Sequence, residues 1–183
     1  RFCAGDATVG AAFETERRTI LQMQRDEKKL RGEVLSMRQK LLEGHPNKSE
    51  LFDLKHDRGG MIDIEFIVQY LVLANAHRFQ DLVANSGNIA LLKLAARLEL
   101  ISVAAAEEVG SAYREFRRLQ HGLRLNGAKY ARVPMGDVKA QVAATLALAR
   151  HRLRRRRRRR GGRARDVPAS SSRAAGGIAR ARS

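Results

Sequence analysis

The residues best equipped for chemistry lie in one short stretch, Lys55-His56-Asp57-Arg58-Gly59-Gly60, just ahead of a long apolar run. Glycines directly before a helix let backbone N–H groups approach an anion closely, and the positive end of the helix dipole favours negative charge there. Lys55 supplies a point charge and Arg58 a planar fork, both suited to phosphate oxygens. Lys55, Arg58, Gly59 and Gly60 are therefore a candidate anion-binding set. A plainer reading stands beside it, a helix-start turn with solvated bases. His56 reads as a loop side chain and not as a catalyst.

Asp63-Ile64-Glu65 imitates a metal-binding pair. On a strand, residues i and i+2 face the same way and can share a cation, whereas on a helix they lie about 200° apart. The run from Ile62 to Phe79 is apolar almost all round, which marks the buried centre of a helical bundle, so no metal dyad is expected. Asp63 then sits in the first turn, where a carboxylate complements the helix dipole. Glu65 and Gln69, at i and i+4, are placed for buried or interfacial hydrogen bonds. Arg117, His121 and Arg124 recur at i, i+4 and i+7 as a basic stripe, either a solvated face or a surface for another domain or protein. His45, His77 and His151 are scattered, and no metal site emerges from them.

These residues need helices to position them, and the composition supplies little else. Ala, Leu, Arg and Glu dominate, aromatics are 5% and there are three prolines, a mixture that favours helix over strand. Asp6 is a good N-cap for a first helix reaching about Glu27. A second carries Leu30, Val34, Met37 and Leu41 as one apolar stripe and stops at Gly44-His45-Pro46-Asn47. A polar stretch, Lys48 to Arg58, leads to Gly59-Gly60 and the apolar helix. Ser86-Gly87-Asn88 precedes a helix over Ile89–Leu98. Ser102 caps a long one to Leu125, closed by Asn126-Gly127. Val133-Pro134 breaks the chain before a last helix over Asp137–Arg150. The expected fold class is all-α, a bundle of about five or six helices, with its most buried helix carrying Phe66, Ile67, Tyr70 and Leu71.

The formal charge of +17 invites a nucleic-acid reading. Residues 1–150 hold 23 basic against 18 acidic side chains, only +5, while residues 151–183 hold 13 arginines against Asp166, +12. The excess is thus in the tail, where Arg154–Arg160 is an unbroken arginine run followed by Gly, Ala, Ser and more Arg. Such a segment buries too little apolar surface to offset ordering entropy. Two domains of character are expected: a helical body, 1–150, and a disordered basic tail, 151–183. The tail is either a frameshifted or unusual terminal extension or a nucleic-acid- or membrane-binding arm. Cys3 is the sole cysteine, so no intrachain disulfide forms and a reducing, cytoplasmic setting is expected. No segment approaches the roughly 20 apolar residues of a membrane span. Arg1-Phe2-Cys3-Ala4-Gly5-Asp6 has neither a Met nor a signal-peptide layout, and reads as an internal start within a longer protein.

Phe52-Asp53-Leu54-Lys55-His56-Asp57-Arg58-Gly59-Gly60-Met61-Ile62-Asp63-Ile64-Glu65-Phe66-Ile67-Val68-Gln69-Tyr70-Leu71 closely resembles the segment that opens the core of the helical domain in bifunctional glutamine synthetase adenylyltransferases. The likeness extends upstream through Ala4-Gly5-Asp6 and Glu33-Val34…Met37-Arg38. Downstream it takes in Arg117-Arg118-Leu119-Gln120-His121 and Tyr130-Ala131-Arg132-Val133-Pro134, and it stops near residue 149. The resemblance implies that ATP donates AMP to a tyrosine of glutamine synthetase, that a related half of the full protein removes it, and that glutamine and the PII signalling protein set the balance. It implies Mg²⁺ held by carboxylates of a Gly-Ser…Asp-x-Asp pattern. This sequence lacks that pattern, since Gly110-Ser111 has no Asp-x-Asp after it.

The expectation is therefore an accessory helical domain with no catalytic residue of its own. Lys55, Arg58, Gly59 and Gly60 are placed toward nucleotide, while Asp63, Glu65, Gln69, Arg117, His121 and Arg124 are placed toward a domain interface. Its partners are its own catalytic core, glutamine synthetase and PII, with ATP and Mg²⁺ bound by the full-length enzyme and not by this chain alone. The competing reading is a basic helical nucleic-acid-binding or interaction module, whose phosphate contacts would depend steeply on salt.

Overall fold

The computed structural model describes residues 4–84 and 86–153. The expectations for Cys3 and for the arginine run lie outside them. Six helices follow in order: α1 (Ala7–Gln22), α2 (Glu27–Glu43), α3 (Met61–Asn75), α4 (Asn88–Arg97), α5 (Val103–Leu125) and α6 (Met135–Leu153). A 3₁₀ turn, Gln80–Val83, links α3 to α4. Two short strands, β1 (Phe52–Asp53) and β2 (Arg132–Val133), pair antiparallel. The all-α expectation holds.

The ends follow local chemistry. The Asp6 carboxylate accepts the amides of Thr8 and Val9 at 2.7 and 3.1 Å. Ser102 Oγ accepts the amide of Ala105 at 3.2 Å. At the far end of α5, Gly127 has φ +78°, and Gly127 and Ala128 donate back to Arg124 and Leu123 at 3.0 and 2.9 Å. That is a Schellman closure, as Asn126-Gly127 foretold. α1 stops at Gln22 instead of Glu27. Asp26 is taken as the N-cap of α2, its carboxylate accepting Lys29 N–H at 2.8 Å. The Arg25 guanidinium folds back onto the carbonyls of Ile20, Leu21 and Met23. α3 stops at Asn75 instead of Phe79, where the chain turns as Phe79 N–H donates to Asn75 O at 3.0 Å.

α3 is the axis of the bundle, packed against α1, α2, α4, α5 and α6. It buries Ile64, Ile67, Val68, Tyr70 and Leu71, and its neighbours contribute Leu92, Val109, Phe116 and Val138. The stripe expected on α2 needs one correction. Leu30 and Val34 are buried, but Met37 is 59% exposed and the next buried position is Arg38. The spacing is thus i, i+4, i+8, and a guanidinium stands where a methionine was expected. At the other end, α6 continues past residue 150 to Leu153, which is buried in the core. A body ending at residue 150 would cut this helix short of an apolar anchor.

Candidate functional site

The loop Leu54–Gly60 is held from three sides. β1 fixes its start, with Leu54 N–H donating to Ala131 O at 3.0 Å just beyond the β1–β2 pair. The Asp53 carboxylate then turns the chain, accepting the amides of Lys55 and His56 at 3.0 and 2.9 Å. Arg132 Nε lies 3.5 Å from its other oxygen. Asp57 braces the loop by accepting Asp53 N–H at 2.8 Å and the Asn47 amide at 2.7 Å. Burial pushes the Asp53 carboxyl up, but the two amides and the neighbouring His56 outweigh it and hold Asp53 below the usual carboxylate range. The His56 ring stacks on His45, centroids 4.4 Å apart and planes within 4°. Burial draws its imidazole down despite the opposing pull of Asp53.

A buried ion pair fixes the other side. Arg38 Nε donates to Asp63 Oδ1, and Arg38 Nη2 donates to the carbonyls of His56 and Asp57 at 2.8 and 3.2 Å. Asp63 Oδ2 accepts the Gly59 amide. One arginine on α2 thus ties the loop to the first turn of α3. Asp63 therefore does more than complement the helix dipole, and it lies inside the fold at 8% exposure.

The two glycines are explained by close approach. Gly59 has φ +88°, and a Cβ there would lie 2.7 Å from Val142 Cγ1 of α6. A Cβ on Gly60 would lie 2.7 Å from the Leu54 carbonyl oxygen. Their amides are engaged within the chain: Gly59 with Asp63, and Gly60 with Asp57 O at 3.0 Å. The first turn of α3 is likewise supplied, Met61 and Ile62 donating to Leu54 O and Lys55 O at 2.9 and 3.2 Å. The N–H groups that the sequence reading held open for an anion are thus spent on the loop itself.

What the loop offers outward is side chains. Lys55 is exposed, while Arg58, also exposed, donates to Gln39 of α2. Glu65 and Gln69 are not bonded to each other. Glu65 accepts the Tyr113 hydroxyl of α5 at 2.9 Å, with Asn88 Nδ2 donating to the same hydroxyl at 3.1 Å, and Gln69 is exposed. Asp63 faces α2 and Glu65 faces α5, so the two share no cation. Among the described residues no group of three His, Cys, Asp or Glu side chains is placed to hold a metal. Arg117, His121 and Arg124 are all exposed on α5, far along the chain from the loop.

Sequence reasoning missed Arg38 and Asp53 as the organising charges, and Tyr113 as the partner of Glu65. The signal for Arg38 was present: it lies four residues after Val34 on the buried stripe of α2, and a charge there demands a counter-charge. The only acid in the first turn of the apolar helix is Asp63.

A family model described as GlnD PII-uridylyltransferase matches residues 35–165, well over half of the chain. The chain is 55% identical over 148 residues to the bifunctional glutamine synthetase adenylyltransferase/adenylyl-removing enzyme of Bordetella bronchiseptica, covering 81% of this chain and 16% of that one. The enzyme of the same name from Burkholderia mallei is 53% identical over 148 residues, with the same coverage. That from Nitrosomonas europaea is 58% identical over 127 residues, 69% of this chain and 14% of its own. The chain thus spans about one sixth of the length of these relatives. On these matches the chain belongs to the GlnD PII-uridylyltransferase family and is similar, within it, to one segment of the bifunctional glutamine synthetase adenylyltransferase/adenylyl-removing enzymes.

Proposed function

We propose that this chain is the accessory helical domain of a cytoplasmic enzyme that transfers AMP from ATP to a tyrosine of glutamine synthetase and, in the full-length protein, removes it, so regulating nitrogen assimilation. The names of the relatives support adenylyl transfer to glutamine synthetase and its reversal. The family's name speaks of uridylyl transfer to PII. A helical domain common to both accompanies nucleotidyl transfer to a protein, whichever nucleotide is moved.

One observation carries the accessory role: the two acids that imitate a metal pair are committed to the fold, Asp63 to Arg38 and Gly59, Glu65 to Tyr113. The carboxylates that hold Mg²⁺ on ATP then belong to a catalytic core elsewhere in the enzyme, and this domain offers that core a stiff loop with Lys55 and Arg58 exposed on it. Lys55 donates to a nucleotide phosphate and Arg58 reinforces the field, while Gly59 sets the loop's closeness to α6 and Gly60 its own closeness to the Leu54 carbonyl. Gln69 and the stripe Arg117, His121 and Arg124 are the exposed polar surface for the core or for glutamine synthetase, with PII acting on the full-length enzyme. The same reading divides the sequence into a helical body, 1–150, and an Arg-rich tail, 151–183.

Adenylylation of glutamine synthetase by the isolated chain with Mg²⁺ and ATP is the test. No AMP transfer is expected; measurable Mg²⁺-dependent transfer overturns the accessory role.

A further inference from the structure

Between α2, α3 and α6 lies a cleft of about 510 Å³ lined by Leu35, Arg38, Arg58, Asp63, Leu146, Ala149, Arg150 and Leu153. Three guanidinium groups face one carboxylate, an excess of two positive charges at the edge of an apolar wall. Arg38 is 4% exposed, its Nε and Nη2 are bonded to Asp63, His56 and Asp57, and its Nη1 is buried without an acceptor. A buried N–H of a charged group without a partner is costly unless something else supplies the acceptor. Arg58 and Arg150 are exposed at the same cleft, and neither forms an ion pair with an acid among the described residues.

We infer that this cleft binds a phosphate monoester with an apolar body, its oxyanion held by Arg38, Arg58 and Arg150 and its body laid against Leu35, Leu146, Ala149 and Leu153. A dianion matches the excess of two charges, which a monocarboxylate does not. Guanidinium forks are suited to phosphate oxygens approached from more than one side. The apolar wall and the volume exceed what inorganic phosphate fills, so the body of the ester adds affinity. The site shares only Arg58 with the nucleotide contact proposed above and does not rest on it, because its central donor is Arg38 of α2 and its ligand is recognised without a catalytic core.

The test is a titration of the whole 183-residue chain, with the leucine methyl groups followed by NMR at near-physiological salt. Phenyl phosphate, inorganic phosphate and benzoate serve as probes. Phenyl phosphate is expected to shift the methyls of Leu35, Leu146 and Leu153 saturably, with inorganic phosphate and benzoate each weaker by about fivefold or more. Arg58→Gln and Arg150→Gln should each weaken phenyl phosphate by about tenfold, the loss of one charge-assisted contact. Leu35→Glu, at a site already 41% exposed, should abolish binding with the fold intact, whereas Arg97→Gln on α4 should change nothing. Shifts absent from those three methyls overturn the proposal, which includes binding through residues 154–160 alone. So does benzoate binding as well as phenyl phosphate, or Arg97→Gln weakening it equally.

Discussion

Arg38 on α2 and Asp63 on α3 are buried against one another, 4% and 8% exposed, and between them they hold the Gly59 amide and the carbonyls of His56 and Asp57. Removing one partner of such a pair leaves a desolvated charge, at a cost of about 3–5 kcal/mol. Arg38→Met and Asp63→Asn should each lower the unfolding free energy read from urea denaturation by an amount of that order. The double variant should be much less than additive, because neither charge is then left alone. Additive losses would show that the two side chains act independently.

The glycines ahead of α3 make a second prediction. Gly59→Ala meets both the φ of +88° and Val142, and Gly60→Ala meets the Leu54 carbonyl. Each should destabilise the body by about 1–3 kcal/mol, with the loop or α6 displaced. Gly32→Ala on exposed α2, where nothing lies within 4 Å of a new Cβ, should instead be neutral or stabilising by up to about 1 kcal/mol. Thermal melts of the three variants check the contrast; equal behaviour at all three positions would contradict the packing account.

Stability should also fall as pH drops, in two windows. His56 has its imidazole drawn below the ordinary 6.5, so the unfolded chain takes up a proton first, and stability declines as pH falls below about 6.5. Asp53 is held below the ordinary 3.8; its contribution is complete above that value and is lost as pH falls through the depressed folded one. The two groups touch, so they titrate as a pair. Urea midpoints between pH 7.5 and 5 should decline less in His56→Gln than in the parent, and an unchanged slope would remove His56 from the account.

Truncation separates helix from tail. A chain ending at Leu153 keeps the whole of α6, whereas one ending at Arg150 loses Leu153, which is 6% exposed in the core. The shorter chain should be less stable by about 1.5–3 kcal/mol, the value of one buried leucine. Comparison with the 183-residue parent should show the 153-residue chain melting near it and binding polyanions far less. Equal melting of the 150- and 153-residue chains would contradict the packing of Leu153.

Much of this fold was legible because its signals are local. The caps at Asp6 and Ser102, the closure at Asn126-Gly127 and the all-round apolar run of α3 each lie within a few residues of what they specify. What escaped is what joins distant segments. β1 and β2 are two residues each and pair Phe52 with Val133, so neither strand carries a periodicity to read. Arg38 and Asp63 are each explained only by the other, 25 residues away. The loop's residue types pointed to an anion at the helix start, but whether those amides were free depended on Leu54, Asp57 and Asp63 reaching them first. Lys55 and Arg58 were legible as exposed charge, whereas the cleft that joins Arg58 to Arg38 and Arg150 exists only once α2 and α6 have both packed against α3.

The most direct test of the functional account is Lys55→Ala in the full-length enzyme of which we propose this chain to be part. Steady-state adenylylation of glutamine synthetase is to be measured at subsaturating ATP. Lys55 is exposed, so the melting temperature should barely move. Loss of one charge-assisted phosphate contact, about 1.5–3 kcal/mol, should lower kcat/KM roughly ten- to hundredfold. The loss falls in kcat if Lys55 meets charge developing in the transition state, and appears as a raised KM for ATP if it only holds the ground state. Wild-type kinetics in Lys55→Ala would contradict the nucleotide contact and leave the Lys55–Gly60 loop as packing between α2, α3 and α6.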